Sequence, residues 1–598
     1  MPPGATRGGC GVSGSSLSPG AFEVNEQVAA ALEVLEHSTR HAFVTGRAGT
    51  GKSTLLLRYL DGADLSRTVV LAPTGVAALH VGGETIHHFF RLRPGQTPEE
   101  AAAAGRRAAT GQNADTYRRL TTIVVDEVSM VRADLLDGVD SFLRAARGSA
   151  EPFGGVRIIA FGDLHQLPPV VTAEERPLFR EQYPSPYFFS SHVFTRLREE
   201  ENLANFSYVE LQRIYRQVDQ EFIDFLNRVR SKDLDTADLE LVNARVVDVD
   251  AAMADPAGPL FLTTTNRRAS EINAAHLARL GGAELRSVAR VSGEFPDSYR
   301  PTDLELTLKV GARVMLVSND SAGRWVNGSM GTVCAFDDEA GGLVVLLDDG
   351  DQVDVEPCTW EATYNRWDAA AGGIVRETLG SFTQLPVRLA WAVTIHKAQG
   401  KTFDRVVVDF ERTTFEHGQA YVALSRARRL DGLGLARPMR ASDVRLDRSV
   451  VRFLTGIQAQ IARNAWDGDA IVELLERAIA TGADLEMDYL KGNNTRTTRV
   501  VTPQSLAAMS YSGTGFPGLV AYCHLRHEVR TFNVDRILAV RAVSRRPALT
   551  LRRPRDRGRS GSRLLARGPV MSEHHARAPM RRTEVARRNW RAGEPTRG

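Results

Sequence analysis

The segment HAFVTGRAGTGKSTLLLRYL, residues 41–60, decides the fold of this chain. Its first five residues form a short β-type run, the next eight have the spacing GxxxxGK[ST], and the remainder favours a helix. Small residues in such a loop let backbone N–H groups converge on phosphates at the helix N-terminus, where the dipole favours negative charge. Lys52 would then contact the β- and γ-phosphates, and Ser53 would be a Mg²⁺ ligand. The segment predicts a nucleotide-binding α/β domain, whose phosphate-contacting residues are Gly46, Arg47, Ala48, Gly49, Thr50, Gly51, Lys52, Ser53 and Thr54.

A second apolar run, Thr122 to Val125, leads directly into Asp126 and Glu127. A carboxylate at the end of a strand can hold Mg²⁺, and a second one beside it can activate the attacking water. Asp126 suits the metal role and Glu127 the role of base. The alternative is a pair of helix-capping acids, which the upstream phosphate loop disfavours.

A third signal is FGDLHQLPPV, residues 161–170, which begins where an apolar strand-like run ends. Its two prolines prevent a regular helix or strand from continuing after the loop. Gln166 is therefore predicted on a short, stiff loop, where it can hydrogen-bond both the γ-phosphate and the attacking water. Taken alone, the segment also fits an ordinary connection between a strand and a turn. Its order after the first two signals favours the phosphate-sensing interpretation.

After about Leu203 the alternation of apolar strands and amphipathic helices begins again, with LFLTTTN at 260–266 as a clear strand. This pattern predicts a second half with a parallel sheet and helices on both faces. Arginines from a facing domain commonly neutralise the charge that develops in phosphoryl transfer. Arg216 in IYRQ and Arg426 in LSRAR are the candidates, although either one alone could be an ordinary surface arginine.

Length and composition indicate a globular protein of several domains. The chain has 598 residues, is 43% hydrophobic, and contains no run of eighteen apolar residues, so no membrane span is expected. The first twenty residues are rich in Gly, Ser and Pro and predict a disordered extension. The four cysteines of the whole chain, Cys10, Cys334, Cys358 and Cys523, lack the spacing of a metal site or a disulfide framework. This usage favours a reducing cytoplasm.

The charge is unevenly distributed along the chain. Residues 545–598 contain sixteen arginines and four acidic residues, a formal charge of +12 against +3 for the whole chain. The remainder therefore carries −9. The tail could bind a polyanion without sequence preference, or it could be a dispensable disordered extension.

In order along the chain, the motifs resemble those of superfamily 1B DNA helicases of the PIF/RecD type. The resemblance covers roughly Phe22 to Leu454 and rests on FEVNEQ, GRAGTGKST, LAPTGVAAL, GGETIHHFF, VVDEVSM, FGDLHQLPPV, LQRIYRQ, GARVMLVSND with VNGSMGTV, VTIHKAQGKTFD and YVALSRAR. It implies two RecA-like domains and an ATP-dependent helicase or translocase that moves 5′ to 3′ on single-stranded DNA. Such an enzyme would unwind tailed duplexes in replication, repair or recombination, with ATP and Mg²⁺ as cofactors, and it could act as a monomer.

The resemblance also assigns individual residues. Gln27 would recognise adenine, and Gly400 would lie near the γ-phosphate on the second half. Lys52, Asp126, Glu127, Gln166, Arg216 and Arg426 take the catalytic roles given above. The residues implied to line a channel for single-stranded DNA are Pro73, Thr74, Gly75, His87, Phe89, Thr394, His396 and Lys397.

The alternation of strands and helices, together with the resemblance, predicts the domain boundaries and the insertions. The first RecA-like domain is predicted at 21–202, with a strand-separating wedge inserted near 91–120. The second is predicted at 203–440, with an SH3-like β-barrel inserted near 325–385, because strands joined by DDEAGG and DDGD turns lie there. A helical linker at 441–480, a β-rich domain at 481–545 and the disordered tail at 546–598 complete the prediction.

The β-rich C-terminal segment resembles a WYL domain, a small barrel thought to bind nucleic acid or nucleotide-like ligands. The matching positions are Arg499, Pro503, Tyr522, Cys523, Arg526, Arg530, Asp535 and Arg536. Pro517, Gly518 and Leu519 stand where that family has its Trp-Tyr-Leu triplet, which weakens the expectation of aromatic stacking. Arg499, Arg526, Arg530 and Arg536 are candidates for contacts to DNA or an anionic ligand, or are surface arginines paired with local acids.

Two other functions fit parts of this sequence. One is a ligand-responsive DNA-binding regulator in which the WYL-like part dominates, although no helix-turn-helix pattern precedes it. The other is a RecD-like motor subunit of a nuclease complex, since a missing partner leaves no trace in one chain. The complete ATPase series favours the helicase.

Overall fold

The fold is taken from a computed structural model, which describes residues 25–543 apart from 201–202, 218, 256–257, 338–340, 412–413, 415, 466–467, 493–495 and 512–513. The predicted N-terminal extension and the arginine-rich tail lie outside the described residues. No helix in the described part of the chain combines the length and the apolar character needed to cross a membrane.

The first domain is a six-stranded parallel sheet with the order β3-β2-β4-β5-β1-β6. Its strands are β1 (His41–Gly46), β2 (Thr68–Ala72), β3 (Glu84–Thr85), β4 (Thr122–Val125), β5 (Arg157–Phe161) and β6 (Phe206–Leu211). Its helices are α1 (Glu26–His37), α2 (Lys52–Gly62), α3 (Gly75–His80), α4 (Ile86–Phe90), α5 (Pro98–Ala108), α6 (Ala114–Arg119), α7 (Ala133–Arg147), α8 (Arg176–Gln182) and α9 (His192–Glu199).

Helices cover both faces of this sheet, which explains its nearly continuous apolar strands. Successive side chains of a strand point to opposite faces, so Phe43 and Val44 belong to two different hydrophobic clusters. Because β6 pairs with β1 in parallel, residues 206–211 complete the first sheet. The predicted boundary at residue 203 is therefore wrong, since it assigned β6 to the second domain.

The stretch predicted as a wedge, near 91–120, forms α5 and α6. Helix α5 packs against α7, with Ala101 and Gly105 buried. A Cβ at Gly105 would collide with the carbonyl oxygen of Phe142, so only glycine allows this close approach. The alanine-rich composition thus serves tight helix packing.

The second domain has a smaller parallel sheet with the order β18-β7-β19-β20. Its strands are β7 (Leu260–Thr263), β18 (Ala392–Thr394), β19 (Val406–Asp409) and β20 (Leu433–Leu435). Its helices are α10 (Gln220–Ser231), α11 (Thr236–Asn243), α12 (Val249–Ala254), α13 (Asn266–Arg279) and α14 (Gln419–Leu424).

An antiparallel β region is inserted between β7 and β18. Its strands are β8 (Glu284–Val288), β9 (Arg290–Gly293), β10 (Glu305–Lys309), β11 (Arg313–Leu316), β12 (Met330–Asp337), β13 (Gly342–Leu347), β14 (Gln352–Val355), β15 (Cys358–Asp368), β16 (Gly373–Gln384) and β17 (Val387–Leu389). The main sheet has the order β14-β13-β12-β11-β17, and the insertion begins earlier than predicted, at β8. Its SH3-like class remains a prediction.

The long hairpin β15–β16 extends from the insertion to the first domain. The backbone N–H of Trp367 donates to the Thr116 hydroxyl at 2.6 Å, and that of Ile374 donates to the Ser66 carbonyl at 2.8 Å. The Arg119 guanidinium lies 4.6 Å from the centre of the Trp367 ring. These contacts join the two domains on a side that the sequence did not indicate.

The C-terminal part consists of α15 (Arg448–Ala465), α16 (Gly468–Thr481), β21 (Leu485–Leu490), β22 (Arg496–Tyr511), β23 (Thr514–Cys523), β24 (Glu528–Asn533) and β25 (Ile537–Ala542). The strands form one antiparallel sheet with the order β24-β23-β22-β21-β25. The predicted linker at 441–480 comprises two helices that both contact β25, and α15 additionally packs on the first domain. Val450, Phe453, Leu454 and Ile457 of α15 belong to the core of the first domain, whereas Ile471, Leu475 and Ala478 of α16 pack on the C-terminal sheet.

Candidate functional site

The phosphate loop follows β1 and ends where α2 begins. Gly49 and Gly51 have left-handed backbone φ angles of +77° and +84°, which favour glycine. A Cβ at Gly49 would also collide with the Cβ of Arg216. Gly51 caps α2 without a side-chain hydrogen bond, so backbone N–H groups of the first turn remain for an anion.

The Lys52 side chain is held by the phosphate loop itself. The Lys52 ammonium donates to the carbonyl oxygens of Gly46 and Arg47 at 2.9 and 3.0 Å. Burial lowers the pKa of Lys52, and the carboxylates of Asp163 and Glu127 counteract that effect. Ser53 is exposed at the second position of α2. On the first turn of α1, the Gln27 side-chain oxygen accepts from the Gln212 backbone N–H at 3.1 Å.

Two carboxylates stand at the end of β4. An oxygen of Asp126 accepts from the Glu127 backbone N–H at 2.9 Å. Burial, and then the neighbouring Asp126 carboxylate, raises the pKa of Glu127 to about 7. Glu127 has a φ of +49°, a strained left-handed conformation that is uncommon for non-glycine residues and concentrates at functional sites. A carboxyl group with a pKa near neutrality is suited to general-base catalysis.

Gln166 lies in the loop after β5 and is 6% exposed. Its amide nitrogen donates to Asp163 at 3.2 Å. Asp163 also accepts from the Arg230 guanidinium of α10 at 3.1 Å. The loop that carries Asp163 and Gln166 is therefore bonded to a residue of the second domain.

Arg216 follows β6 in the segment that connects the two domains. The prediction that placed it in the second half is therefore corrected. The Nη2 of Arg216 donates to the Gly400 carbonyl at 3.0 Å, whereas its buried Nη1 has no hydrogen-bond partner among the described residues. Arg426 is 1% exposed and donates to the carbonyls of Val422 and Lys401 at 2.8 and 3.0 Å. Burial, followed by the charge of Arg216, lowers the pKa of Arg426 to about 9. Both arginines thus lie close together and donate to neutral acceptors.

Three further residues join the domains here, and sequence reasoning did not single them out. The Tyr421 hydroxyl accepts from the backbone N–H of Ala48 in the phosphate loop at 2.9 Å. Gln399 contacts Glu127, and Arg230 binds Asp163. Tyr421 and Gln399 lie inside the quoted motifs YVALSRAR and VTIHKAQGKTFD, so motif membership was an available signal. Arg230 lies in a helix that carries no such signal.

The residues expected to line a DNA channel are divided between surface and interior. Thr74 is exposed and caps α3, and Lys397 is exposed after β18. The Thr394 side chain accepts from the Lys397 backbone N–H at 3.3 Å, and His396 lies 3.1 Å from Glu416. Pro73 and His87 are half-buried.

Phe89 and Gly75 do not have the expected exposure. Phe89 is 3% exposed and packs edge-on against Phe90 and Tyr117, at ring distances of 4.8 and 5.6 Å. Its ring cannot offer a stacking face to a base without leaving the hydrophobic core, so that prediction is wrong. Gly75 is buried, and a Cβ there would lie 2.5 Å from the carbonyl oxygen of Ser298.

The four C-terminal arginines do not form one surface patch. Arg499 is 6% exposed and donates to Thr497 and Cys523 at 3.2 and 3.5 Å. It stabilises the interior of the domain, which corrects the prediction of a ligand contact. Arg526 and Arg530 are exposed, with Arg530 3.4 Å from Glu528, and Arg536 is half-buried.

Comparison with protein families agrees with this arrangement. Residues 23–240 match the PIF1-like helicase family, residues 389–430 match the UvrD-like helicase C-terminal domain, and residues 470–542 match the WYL domain. The two parallel sheets are therefore the RecA-like pair, followed by a WYL domain. The WYL match includes α16, in accordance with the packing of that helix on the C-terminal sheet.

Individual proteins of the same kind are similar over most of the chain. Human ATP-dependent DNA helicase PIF1 is 38% identical over 421 residues, which cover 69% of this chain and 60% of the human protein. ATP-dependent DNA helicase Pif1 of Bdellovibrio bacteriovorus is 33% identical, with 71% of this chain and 91% of that protein covered. The match thus spans less than two thirds of human PIF1 but nearly all of the bacterial protein.

Solved structures share the fold. Pif1 from Bacteroides sp in complex with ADP-AlF4 superposes with a TM-score of 0.64 at 34% identity, covering 72% of this chain and 96% of that one. The same protein bound to single-stranded DNA has a TM-score of 0.51 at 32% identity, with 75% and 98% covered. Together with the arrangement of phosphate loop, carboxylates, glutamine and arginines, these similarities show that the chain belongs to the PIF1-like helicase family.

Proposed function

We propose that this protein is an ATP-dependent DNA helicase or translocase, which hydrolyses ATP between its two RecA-like domains. The observation that carries the proposal is the meeting of Lys52, Glu127 and Gln166 with Arg216 and Arg426 around the phosphate loop. Such a site is complete only when both domains are close together. Hydrolysis can therefore change the separation of the domains and their contacts with DNA. The names of the relatives and the ADP-AlF4 complex of Bacteroides Pif1 support the same activity.

ATP and Mg²⁺ are the proposed cofactors, and the residues present fit them. No group of three or more metal-ligating side chains occurs in the described ranges, which suits a metal held mainly by nucleotide phosphates. Ser53 and Asp126 would hold the ion beside those phosphates. When bound, Mg²⁺ neutralises charge on the phosphate oxygens.

The side chains divide the chemical work among themselves. Lys52 and the N-terminus of α2 bind the phosphates, and Gln27 recognises the adenine. Glu127 takes a proton from the attacking water, which Gln166 orients. Arg216 and Arg426 neutralise the charge that spreads over the γ-phosphoryl oxygens, and Gly400 allows the second domain to approach them.

Single-stranded and tailed duplex DNA are the proposed partners, and the structure of Bacteroides Pif1 bound to single-stranded DNA supports this. In the first domain Pro73, Thr74 and His87 remain candidates for contact, and in the second His396 and Lys397 do. Thr394 is 4% exposed and accepts from the Lys397 backbone N–H, so it supports the turn and does not face DNA. Alternating contacts at the two domains would produce movement, for which we propose 5′ to 3′ direction and a monomeric motor. Helices α5 and α6 would serve as the wedge.

The WYL domain is proposed to bind nucleic acid or a nucleotide-like ligand and to regulate the motor. Arg526, Arg530 and Arg536 supply the accessible positive charge for that role. We also propose a cytoplasmic location, which agrees with the free thiols of Cys334 and Cys523.

Strand displacement tests the helicase proposal. Duplexes with a 5′ or a 3′ single-stranded tail are incubated with the purified protein, with and without ATP. We expect unwinding of the 5′-tailed duplex only, in the presence of ATP, and no activity from Lys52→Ala, because its phosphate contact is removed. Arg426→Ala should bind ATP but turn over at least about 1,000-fold more slowly, the loss typical of a missing arginine finger. Unwinding by Lys52→Ala at the wild-type rate would refute the proposed site.

A further inference from the structure

Gln399 lies in a compact turn of the second domain between the candidate DNA contacts and Gly400. Backbone N–H groups of Ala398, Gln399 and Lys401 donate to the carbonyls of Thr394, His396 and Ala398 at 3.1, 3.2 and 3.1 Å. The Thr394 hydroxyl adds a bond to the Lys397 backbone N–H. Because these bonds overlap along the chain, residues 394–401 form one stiff unit.

The side chain of Gln399 crosses the domain interface and contacts two catalytic groups of the first domain. Its amide nitrogen lies 3.2 Å from a carboxylate oxygen of Glu127 and 3.4 Å from the side-chain oxygen of Gln166. It is half-buried in this position. A single amide group therefore joins the proposed base to the proposed phosphate sensor.

The orientation of both amides follows from their partners. Gln166 must direct its nitrogen to Asp163, because that carboxylate can only accept. Its oxygen therefore faces Gln399, which must present its own nitrogen to Gln166 and Glu127. Arg230 donates to the other oxygen of Asp163, so the second domain contacts Gln166 directly through Gln399 and indirectly through Asp163.

The same turn is bonded to both candidate arginines. Arg216 donates to the Gly400 carbonyl, and Arg426 donates to the carbonyl of Lys401. Gly400 has a φ of +80°, which lets the chain turn between these two carbonyls. A displacement of residues 394–397 would therefore be transmitted to Glu127, Gln166 and both arginines.

We propose that Gln399 is a positioning residue for ATP hydrolysis, which sets the separation of Glu127 and Gln166 and connects them to the turn that carries Thr394, His396 and Lys397. This inference rests on the proposed function and adds a route by which DNA contact regulates hydrolysis. Gln399 acts through Glu127 and Gln166, the groups proposed to activate and orient the attacking water.

Substitution of Gln399 should affect turnover and not substrate binding. Gln399→Ala removes the amide nitrogen that bonds both Glu127 and Gln166, so the separation of these two side chains is no longer fixed. Displacements of about 1 Å in such groups cost roughly 100-fold in rate. We expect the DNA-stimulated kcat to fall at least tenfold, with the KM for ATP and the Kd for single-stranded DNA unchanged within threefold.

Gln399→Glu separates direct contact from a general loosening of the turn. It has the same shape but places a carboxylate against Glu127 and removes the donor, so its kcat should be lower than that of Gln399→Ala. Gln220→Ala is the matched control, since Gln220 is an exposed glutamine that bonds to Asp224 on the same helix at 3.0 Å. The control should keep wild-type kinetics and the wild-type melting temperature.

The decisive experiment measures ATPase kinetics with and without oligo-dT for the wild type, Gln399→Ala, Gln166→Ala and the double variant. If Gln399 acts through Gln166, the double variant loses less than the product of the single losses. Strictly multiplicative losses, a wild-type kcat in Gln399→Ala, or a matching loss of melting temperature would overturn the inference. A wild-type protein without DNA-stimulated ATPase would instead refute the proposed function itself.

Discussion

Asp163 is a buried carboxylate that connects Gln166 of the first domain to Arg230 of the second. Burial alone would raise the pKa of Asp163, but Arg230 and then Lys52 lower it to about 2. The side chain is completely buried, and it accepts hydrogen bonds from both Arg230 and Gln166. The motif FGDLHQLPPV contains Asp163 and Gln166, but Arg230, the partner of Asp163, lies 67 residues further along the chain.

Asp163→Asn should weaken the protein in a pH-dependent way. The pKa of Asp163 is lower in the folded state than its usual 3.8, so its stabilisation is present above about pH 4. That contribution, about 2 kcal/mol, is lost as the pH falls towards 2. We expect the melting temperature of Asp163→Asn to lie below that of the wild type at pH 7 and 5, with a smaller difference at pH 3. An equal difference at all three values would contradict the assignment.

Among the secondary-structure elements, helix α15 follows the second domain in sequence but packs into the core of the first. The ring of Phe453 stacks on that of Phe189 at 4.2 Å with an interplanar angle of 3°, and Gln458 donates to Tyr208 at 3.0 Å. Amphipathic periodicity predicts a helix here but does not identify the surface on which it packs.

Phe453→Ala should therefore destabilise the first RecA-like domain. Removal of a buried phenylalanine leaves a cavity and costs about 3–5 kcal/mol. We expect a clearly lower urea midpoint for the transition of that domain, followed by circular dichroism. Arg452→Ala, at an exposed position of the same helix, is the control and should change the midpoint little. Equal midpoints for the two variants would show that α15 does not contribute to this core.

At the scale of the whole molecule, α15 lies between the motor and the WYL domain and contacts both the core of the first domain and β25 of the C-terminal sheet. Helix α16 packs on the C-terminal sheet, and Lys491 of that domain lies 3.9 Å from Asp233 of the second RecA-like domain. A single ion pair of this kind between partly exposed side chains contributes little. The packing of α15 on the first domain is therefore the stronger connection.

Two truncations distinguish these contributions. A protein ending at Ala465 keeps α15 and should retain DNA-stimulated ATPase with nearly unchanged thermal stability of the motor. A protein ending at Asp447 lacks Phe453 and its neighbours and should melt at a lower temperature or aggregate. If both truncations behave alike, α15 is not part of the motor. Weaker binding of single-stranded DNA by the longer truncation than by the intact protein would support a DNA-binding role of the WYL domain.

Local sequence determined the helicase family, the two RecA-like domains and the C-terminal WYL domain, and it predicted the roles proposed for the phosphate loop, the acidic pair after β4, Gln166 and the two arginines. Each depends on residue types at fixed short spacings, where backbone geometry alone places the functional groups. The tertiary structure decided that Phe89 and Arg499 are buried, that β6 and α15 belong to the first domain, and that Gln399, Tyr421 and Arg230 complete the site. Burial and partnership of this kind depend on contacts between segments far apart in the chain, which no local pattern specifies.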